Sequence, residues 1–314
     1  MPNQLRDLGL LLLLATIWSS SFTAIKVGID VIPPITLTMI RVTVGAMLLY
    51  GVLRAKGMRL SKNPRVWGSF FLIGLLGSAL PFTLINWGEQ EISSGLAAIM
   101  VASMPLAALV LGRMFSDEVL NGRRLLGVLV GFSGVVMLIG PRELMVLGDQ
   151  ALGQLAVALA AVLYAVAGIL VRKLPTAKPI EHGTGVLMAA SIILIPASLI
   201  FETPWTIDFT PEAVAAGVYL GVLPTAVATF LLMVIIAARG VTFLALNNYL
   251  IPVLGVLWGY LFLSEPVTNE ALAALGLIFT GLAIAGIGPT TRPAAPSALD
   301  AGVVVTEENV KQDA

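Results

Sequence analysis

The residues of this sequence that could do chemistry are polar and aromatic side chains lying inside long apolar stretches. Met100 and Ser103 share a face of one stretch at helical spacing. Trp18 and Ser21 share a face of an earlier stretch. A polar group that faces lipid is costly, so we expect these side chains to face protein or a water-filled space. The residues predicted to line that space are Trp18, Ser21, Asn86, Met100, Ser103, Tyr164, Thr229 and Asn247.

The chemistry that suits these side chains is recognition through hydrogen bonds and apolar contact. Methionine adapts to varied shapes, which favours a permissive site for medium-sized, partly apolar solutes. Two interpretations stay open for the smaller groups, because serine and threonine in apolar helices often bond only their own backbone. Met100 would also suit simple packing. The amide of Asn247 is harder to dismiss, since a midspan amide must find a partner.

Catalysis has little support in the sequence. The chain has no cysteine and a single histidine, His182, which begins an apolar stretch. The sequence contains no H-E-x-x-H pair and no carboxylate pair inside an apolar stretch, so we predict no catalytic residue, no metal site and no cofactor. An intramembrane enzyme would need a Ser–His dyad that uses His182, and a hydrolytic activity abolished by its mutation would revive that interpretation.

Two basic residues lie within apolar stretches. Lys26 is near one end and is expected to extend its amine to the interface. Arg41 lies deeper, and two roles stay open: bonding to backbone carbonyls, which the energetics of burial favour, or capture of a substrate carboxylate. The acidic residues Glu89, Glu118 and Glu265 lie near the ends of stretches, so a buried carboxylate relay is not predicted.

The elements that would position these residues are membrane-spanning helices. Of 314 residues, 58% are hydrophobic and 11% charged, and the mean hydropathy is +0.96. A single soluble core could not bury so much apolar surface, whereas a bilayer can solvate it. The net charge of zero gives nucleic-acid binding no support. A spanning helix needs about 20 apolar residues, and such stretches occur at 8–29, 34–53, 66–87, 94–115, 124–140, 152–171, 183–201, 213–238, 242–263 and 271–288.

The predicted fold class is therefore an all-α integral membrane protein with ten transmembrane helices. Basic residues favour the cytoplasmic side of a membrane. With a cytoplasmic N-terminus, fifteen of the eighteen lysines and arginines fall in inner segments. Both termini are thus expected in the cytoplasm, with the protein in a bacterial-type cell inner membrane. The tail 289–314, rich in proline, alanine and threonine before it becomes polar, is predicted to be disordered.

The sequence also resembles itself after a shift of 147 residues. The shift superposes Ala98, Pro105, Gly112, Phe115 and Glu118 on Ala245, Pro252, Gly259, Phe262 and Glu265. Each half, 8–140 and 151–288, holds five stretches, and because five is odd the second half must enter the membrane inverted. Inverted repeats are a mark of secondary transporters. Pro105 and Pro252 are accordingly predicted hinges, with static kinks as the alternative.

The matched residues carry a family resemblance as well. Each half holds a small residue, a proline, an apolar run and then glycine, phenylalanine and glutamate, and the run at 18–22 reads Trp-Ser-Ser-Ser-Phe. Over 8–288 the chain resembles the drug/metabolite transporter superfamily, specifically its ten-span EamA-type members. Within that group it looks most like the YddG-type exporters of aromatic amino acids. The resemblance implies a central cavity between spans 1, 3, 4, 6, 8 and 9, with spans 5 and 10 at the periphery.

The function that this resemblance implies is export of small metabolites, most directly aromatic and other neutral amino acids, by alternating access through the central cavity. One alternative is an efflux carrier for another metabolite or a drug. Alternatives of a different class are the intramembrane enzyme and a non-transporting membrane scaffold. The expected partners are a small-molecule substrate and membrane lipid, without nucleic acid, and the expected state is a monomer.

Overall fold

The computed structural model describes residues 2–115, 122–139, 149–174, 178–244 and 246–285. All regular structure within these ranges is helical, including two π-helical stretches, Leu75–Ala79 and Gly221–Val227, and a short 3-10 turn at Pro204–Thr206. The α-helices are α1 (Pro2–Ile29), α2 (Pro34–Ala55), α3 (Pro64–Gly74), α4 (Leu80–Gly88), α5 (Ser94–Val101), α6 (Met104–Phe115), α7 (Gly122–Ile139), α8 (Asp149–Lys173), α9 (Pro179–Phe201), α10 (Pro211–Leu220), α11 (Ala228–Leu244), α12 (Asn247–Leu263) and α13 (Asn269–Ala285).

Local sequence sets where many of these helices begin. Helices α2, α3, α9 and α10 each start with proline, whose fixed φ and missing N–H suit the first helical position. Asn63, Ser93 and Thr210 precede α3, α5 and α10, and each side chain accepts a hydrogen bond from a backbone N–H of the first turn.

Within the described ranges, seven helical stretches are long and apolar enough to cross a membrane: Leu5–Ile29, Pro34–Ala55, Pro64–Gly88, Ser94–Gly112, Gln150–Val171, Pro179–Phe201 and Pro211–Ile236. Helices α12 and α13 are shorter and also apolar. Large apolar side chains such as Phe201 and Phe262 are more than 70% exposed, which suits contact with lipid rather than water. The described chain thus has the composition of a helical membrane protein, while the ten crossings and the inversion of one half stay predictions.

Glycine lets α7 and α13 approach each other closely. A methyl group built on Gly127 would lie 2.5 Å from the carbonyl oxygen of Gly281, and one on Gly134 would lie 2.8 Å from that of Ala274. Only a residue without a side chain fits such positions. Gly127 and Gly131, four residues apart on α7, therefore lie at the contact between α7 and α13.

Candidate functional site

The centre of the candidate site is Arg41 of α2, whose side chain is almost completely buried at 4% exposure. Its Nε donates a hydrogen bond to Thr225 Oγ1 over 3.0 Å. Its Cζ lies 3.7 Å from the centroid of the Phe82 ring, and Phe82 meets Tyr164 edge-on with the two ring centroids 6.2 Å apart. The partners of Arg41 are thus a hydroxyl and an aromatic face, rather than the backbone carbonyls that burial energetics favour.

The second π-helical stretch, Gly221–Val227, forms one wall of this site. Pro224 lies inside it, and a proline removes a backbone donor and disturbs the α-helical ladder. Two side chains donate hydrogen bonds to carbonyls in this segment or directly before it. Trp18 Nε1 donates to Pro224 O over 3.2 Å, and Thr225 Oγ1 donates to Leu220 O over 2.8 Å. π-Helical turns occur frequently at functional sites. Of the predicted residues, Tyr164 packs against the Phe82 ring that covers Arg41, and Trp18 bonds to Pro224, the residue next to Thr225.

Asn86 of α4 lies beside this site and ties α4 to the start of α2. Its side chain has no exposed surface. Its Nδ2 donates to Pro34 O over 3.1 Å and to Thr38 Oγ1 over 2.9 Å, and Thr83 Oγ1 also donates to Thr38 Oγ1. Its Oδ1 is enclosed without a partner. Asn86 thus holds two helices together and retains one unused acceptor.

Four other predicted residues make only local or apolar contacts among the described residues. Ser21, Ser103 and Thr229 each donate to a backbone carbonyl of their own segment, over 2.6 to 2.7 Å. Met100 is fully buried in the largest apolar core. These contacts suit the interpretation of local backbone bonding and packing, and a role of these residues in lining a cavity stays a prediction.

Asn247 is a buried amide at the first position of α12. Its exposure is 2%, and neither its oxygen nor its nitrogen has a hydrogen-bond partner within the described residues. An enclosed polar group without a partner is destabilising by about 1–3 kcal/mol. Asn247 is therefore a polar group that this conformation leaves unsatisfied.

The two predicted hinge prolines have different surroundings. Pro105 is the second residue of α6 and follows a break in the helix at residues 102–103. Pro252 lies inside α12, which continues across it. A non-helical residue interrupts the preceding helix α11 at Gly240, with φ 79° and ψ 173°, a conformation open to glycine. A hinge role for the two prolines stays a prediction.

Glu265 joins the end of α12 to the beginning of α5. Ser264 ends α12 in the left-handed conformation, at φ 54°, and the Glu265 N–H then donates to Gly259 O over 3.1 Å. The Glu265 carboxylate accepts hydrogen bonds from Ser94 N at 2.8 Å, from Ser94 Oγ at 2.9 Å and from Gly95 N at 3.1 Å. A carboxylate of one helix thereby caps the positive N-terminal end of another.

Helices α5 and α12 also approach each other closely along the part of the contact near Glu265. A methyl group on Gly95 would lie 3.2 Å from Val256 Cα, and one on Gly255 would lie 2.5 Å from Ala98 Cβ. Beyond the break at 102–103, helix α6 packs mainly against α8 and also contacts α7.

We call the end of the bundle that holds loops 30–33, 89–93, 202–210 and 264–268 the Glu265 end. Glu202 makes a similar bond there, because its carboxylate accepts from the backbone N–H groups of Ile35 and Thr36 at the start of α2.

Lys26 and Glu89 lie at the Glu265 end as well, and Glu89 differs from expectation. The half-buried Lys26 extends its amine to loop 89–93, where it donates to the backbone carbonyl of Glu89 and, over 3.2 Å, to that of Ile92. The Glu89 side chain has no exposed surface, and neither carboxylate oxygen has a hydrogen-bond partner in the described part of the chain. Burial raises the pKa of Glu89 well above its ordinary value; Lys26 and Arg41 oppose this shift and Glu265 reinforces it. The sequence placed this carboxylate at the end of a stretch, but the fold encloses it.

Sequence reasoning missed Phe82 and Thr225 as site residues. The charge of Arg41 inside an apolar stretch was a visible signal, but its partners were not, since Thr225 is 184 residues away and belongs to a π-helical segment. Phenylalanine in an apolar helix carries no signal that separates a cation partner from a packing residue.

The sequence matches a known protein family and several curated relatives. The sequence model of the EamA-like transporter family matches residues 7–140 and again residues 151–287. The uncharacterized transporter YoaV of Bacillus subtilis is 25% identical over 267 residues, covering 85% of this chain and 91% of that protein. The uncharacterized inner membrane transporter YedA of Escherichia coli is 25% identical over 291 residues, covering 92% and 93%.

One further relative is named for a substrate, and one solved structure has a similar fold. A probable terminal-alkyne amino-acid exporter of Streptantibioticus cattleyicolor is 26% identical over 280 residues, covering 88% of this chain and 90% of that protein. A crystal structure of a protein that is 22% identical superposes with a TM-score of 0.62, covering 89% of this chain and 97% of that one, and so shares the fold. Since two copies of the family model cover most of the sequence, the protein is a helical membrane transporter that belongs to the EamA-like transporter family, within the drug/metabolite transporter superfamily.

Proposed function

We propose that this transporter exports small metabolites, most directly aromatic and other neutral amino acids, by alternating access through a central cavity between its two halves. The observation that carries the proposal is the meeting of Phe82, Tyr164 and Thr225 around the buried Arg41, with Trp18 bonded to the adjoining residue Pro224. Aromatic faces beside a few hydrogen-bonding groups suit a solute with an apolar side chain and a polar head. A relative named as a probable amino-acid exporter adds support.

The asymmetric packing of α5 and α12 supports alternating access. These helices are held together at the Glu265 end by a carboxylate cap and by close glycine contacts, while α6 turns to other neighbours. With a cytoplasmic N-terminus, the Glu265 end faces outward, so this conformation is closed to the outside. Ten spans, arranged as repeats 8–140 and 151–288 of opposite orientation, would supply a second state that closes the other end.

The proposed setting is a cell inner membrane with both termini in the cytoplasm. In this orientation Arg54 and Lys56, at the end of α2, face the cytoplasm, as the distribution of basic residues predicts. The tail 289–314 and Glu118 lie outside the described residues. The cavity residues named from the sequence, including Asn247, are proposed to line the path in one or both states, and the protein is proposed to act as a monomer.

The test is transport by the purified protein in liposomes. Vesicles loaded with a labelled aromatic or neutral amino acid should release it faster than protein-free vesicles and faster than vesicles holding heat-inactivated protein. Absence of flux across a broad amino-acid panel would remove the amino-acid substrate. Flux of a non-amino-acid metabolite or a drug in the same vesicles would then favour the efflux alternative.

A further inference from the structure

We propose that Arg41 is the subsite that receives the carboxylate of the transported solute. This inference deepens the proposed function and rests on it, because it names the chemical group that the export site selects. A buried guanidinium is costly unless its charge is balanced and its N–H groups are bonded. Within the described residues the Arg41 guanidinium has no ion-pair partner, and most of its N–H groups have no acceptor. A carboxylate would supply both the counter-charge and the acceptors.

The lack of acceptors is visible in the hydrogen bonds. A guanidinium has five N–H donors, and that of Arg41 makes one hydrogen bond within the described residues, from Nε to Thr225 Oγ1. No described carboxylate forms an ion pair with it. The donors of Nη1 and Nη2 therefore have no hydrogen-bond partner within the described residues, and Arg41 keeps 4% of its surface exposed.

The neighbours of Arg41 fix its orientation. Thr225 uses its own hydroxyl proton on Leu220 O, so its oxygen is an acceptor toward Nε. Phe82 covers one face of the guanidinium at 3.7 Å, and Tyr164 packs edge-on against Phe82. A planar fork held on one face and at Nε presents its Nη edge, the edge that binds a carboxylate through two parallel hydrogen bonds.

The carboxylates of the described residues do not occupy this role. Glu89 attracts Arg41 electrostatically, but no ion pair forms between them in the described chain, and both Glu89 oxygens are enclosed. Glu265 and Glu202 are engaged at helix starts. A solute carboxylate would therefore supply the missing counter-charge, while Trp18, Phe82 and Tyr164 provide aromatic surface for its side chain. The predicted ligand class is a monocarboxylate with an apolar or aromatic side chain, free amino acids included.

The experiment measures ligand-induced thermal stabilisation of the purified full-length transporter, so it does not depend on flux. The probes are matched pairs: L-phenylalanine with L-phenylalaninamide and phenethylamine, and 3-phenylpropionate with its amide. We expect the wild type to bind each acid about 10- to 100-fold more tightly than its amide, the range of a charge-assisted double hydrogen bond. Arg41→Gln should lose this discrimination, and Arg41→Lys, which keeps the charge without the fork, should retain part of it.

Thr225→Val is the positioning control, because it removes the acceptor at Nε and leaves the guanidinium in place. It should reduce the acid preference less than Arg41→Gln does. A folded Arg41→Gln protein that still prefers acids over amides overturns the inference, and so does a wild type that binds no acid of either pair. If Arg41→Gln does not fold, unchanged acid preference in both Arg41→Lys and Thr225→Val overturns it. A wild type that binds acids through Arg41 but moves no amino acid in liposomes refutes the export proposal alone.

Discussion

Replacing Glu265 with glutamine should loosen the contact between α5 and α12. The carboxylate accepts three hydrogen bonds, two of them from backbone N–H groups at the first turn of α5. Glutamine has the same shape but no charge, and one of its two terminal atoms is a donor that would face the donors of Ser94 or Gly95. The variant therefore keeps the packing of Glu265 and removes most of its capping.

The magnitude follows from the number and type of bonds. A hydrogen bond to a charged group contributes about 1.5–3 kcal/mol, and a carboxylate near a helix N-terminus adds a few tenths to about 1 kcal/mol. Glu265 is partly exposed, which weakens these contributions through solvent screening. We therefore expect Glu265→Gln to destabilise the closed contact by roughly 1.5–3 kcal/mol, which is about a 10- to 150-fold shift in equilibrium toward opening at this end.

The absence of cysteine from the sequence provides a direct assay. Leu96 is partly buried against the core beside this contact, and Leu96→Cys would place the only thiol of the chain there. Its reaction rate with a membrane-impermeant maleimide reports how often the α5–α12 contact opens. The rate should rise about 10-fold or more when Glu265→Gln is added.

The matched control is Glu270→Gln, which removes the same charge from an exposed position five residues away in the first turn of α13. Its labelling rate should equal that of the Leu96→Cys parent. If Glu265→Gln labels at the parental rate while retaining its folded elution profile, the carboxylate does not hold this end closed and the reasoning is wrong.

Three further predictions concern neighbouring residues. Gly259→Ala should raise the same labelling rate, because a methyl group there would overlap the Glu265 carboxylate and lie 2.9 Å from Ser94 Oγ; a parental rate would show that the contact adapts. Glu89→Gln should flatten the pH dependence of thermal stability: burial raises the pKa of Glu89, so its contribution is full at acidic pH and is lost as pH rises through the folded-state value. Melting temperatures between about pH 5 and pH 8 that fall equally in both proteins would contradict this. Asn247→Ala should leave the melting temperature unchanged or raised, since the amide has no partner in this conformation, while lowering flux in liposomes; unchanged flux would remove Asn247 from the site.

The helices could be predicted from the sequence because their signals are local. Apolar stretches gave their approximate positions, and prolines at 34, 64, 179 and 211 mark helix starts in the structure. The break at 102–103 and the π-helical stretches could not be predicted, since they depend on what packs against each segment. Gly240 falls between the predicted stretches 213–238 and 242–263, and the structure gives it a non-helical conformation within α11.

The site was only partly predictable for a similar reason. Hydropathy identifies polar groups that cannot face lipid, and it selected Trp18, Asn86 and Asn247, all of which are at least partly buried. It cannot separate a serine that contacts a solute from one that bonds its own backbone, as Ser21 does. It also placed Glu89 at a helix end, although tertiary packing encloses that carboxylate.

The central claim is that this protein carries amino acids out of the cell, and counterflow in liposomes tests it most directly. Vesicles holding the purified protein and an excess of unlabelled phenylalanine should transiently accumulate labelled phenylalanine from outside, and vesicles holding Arg41→Gln should accumulate much less. This measurement needs no knowledge of the energy source, because exchange through an alternating-access carrier requires only the substrate on both sides. Wild-type vesicles that accumulate no more label than protein-free vesicles, for phenylalanine and for every other neutral amino acid, would contradict the account.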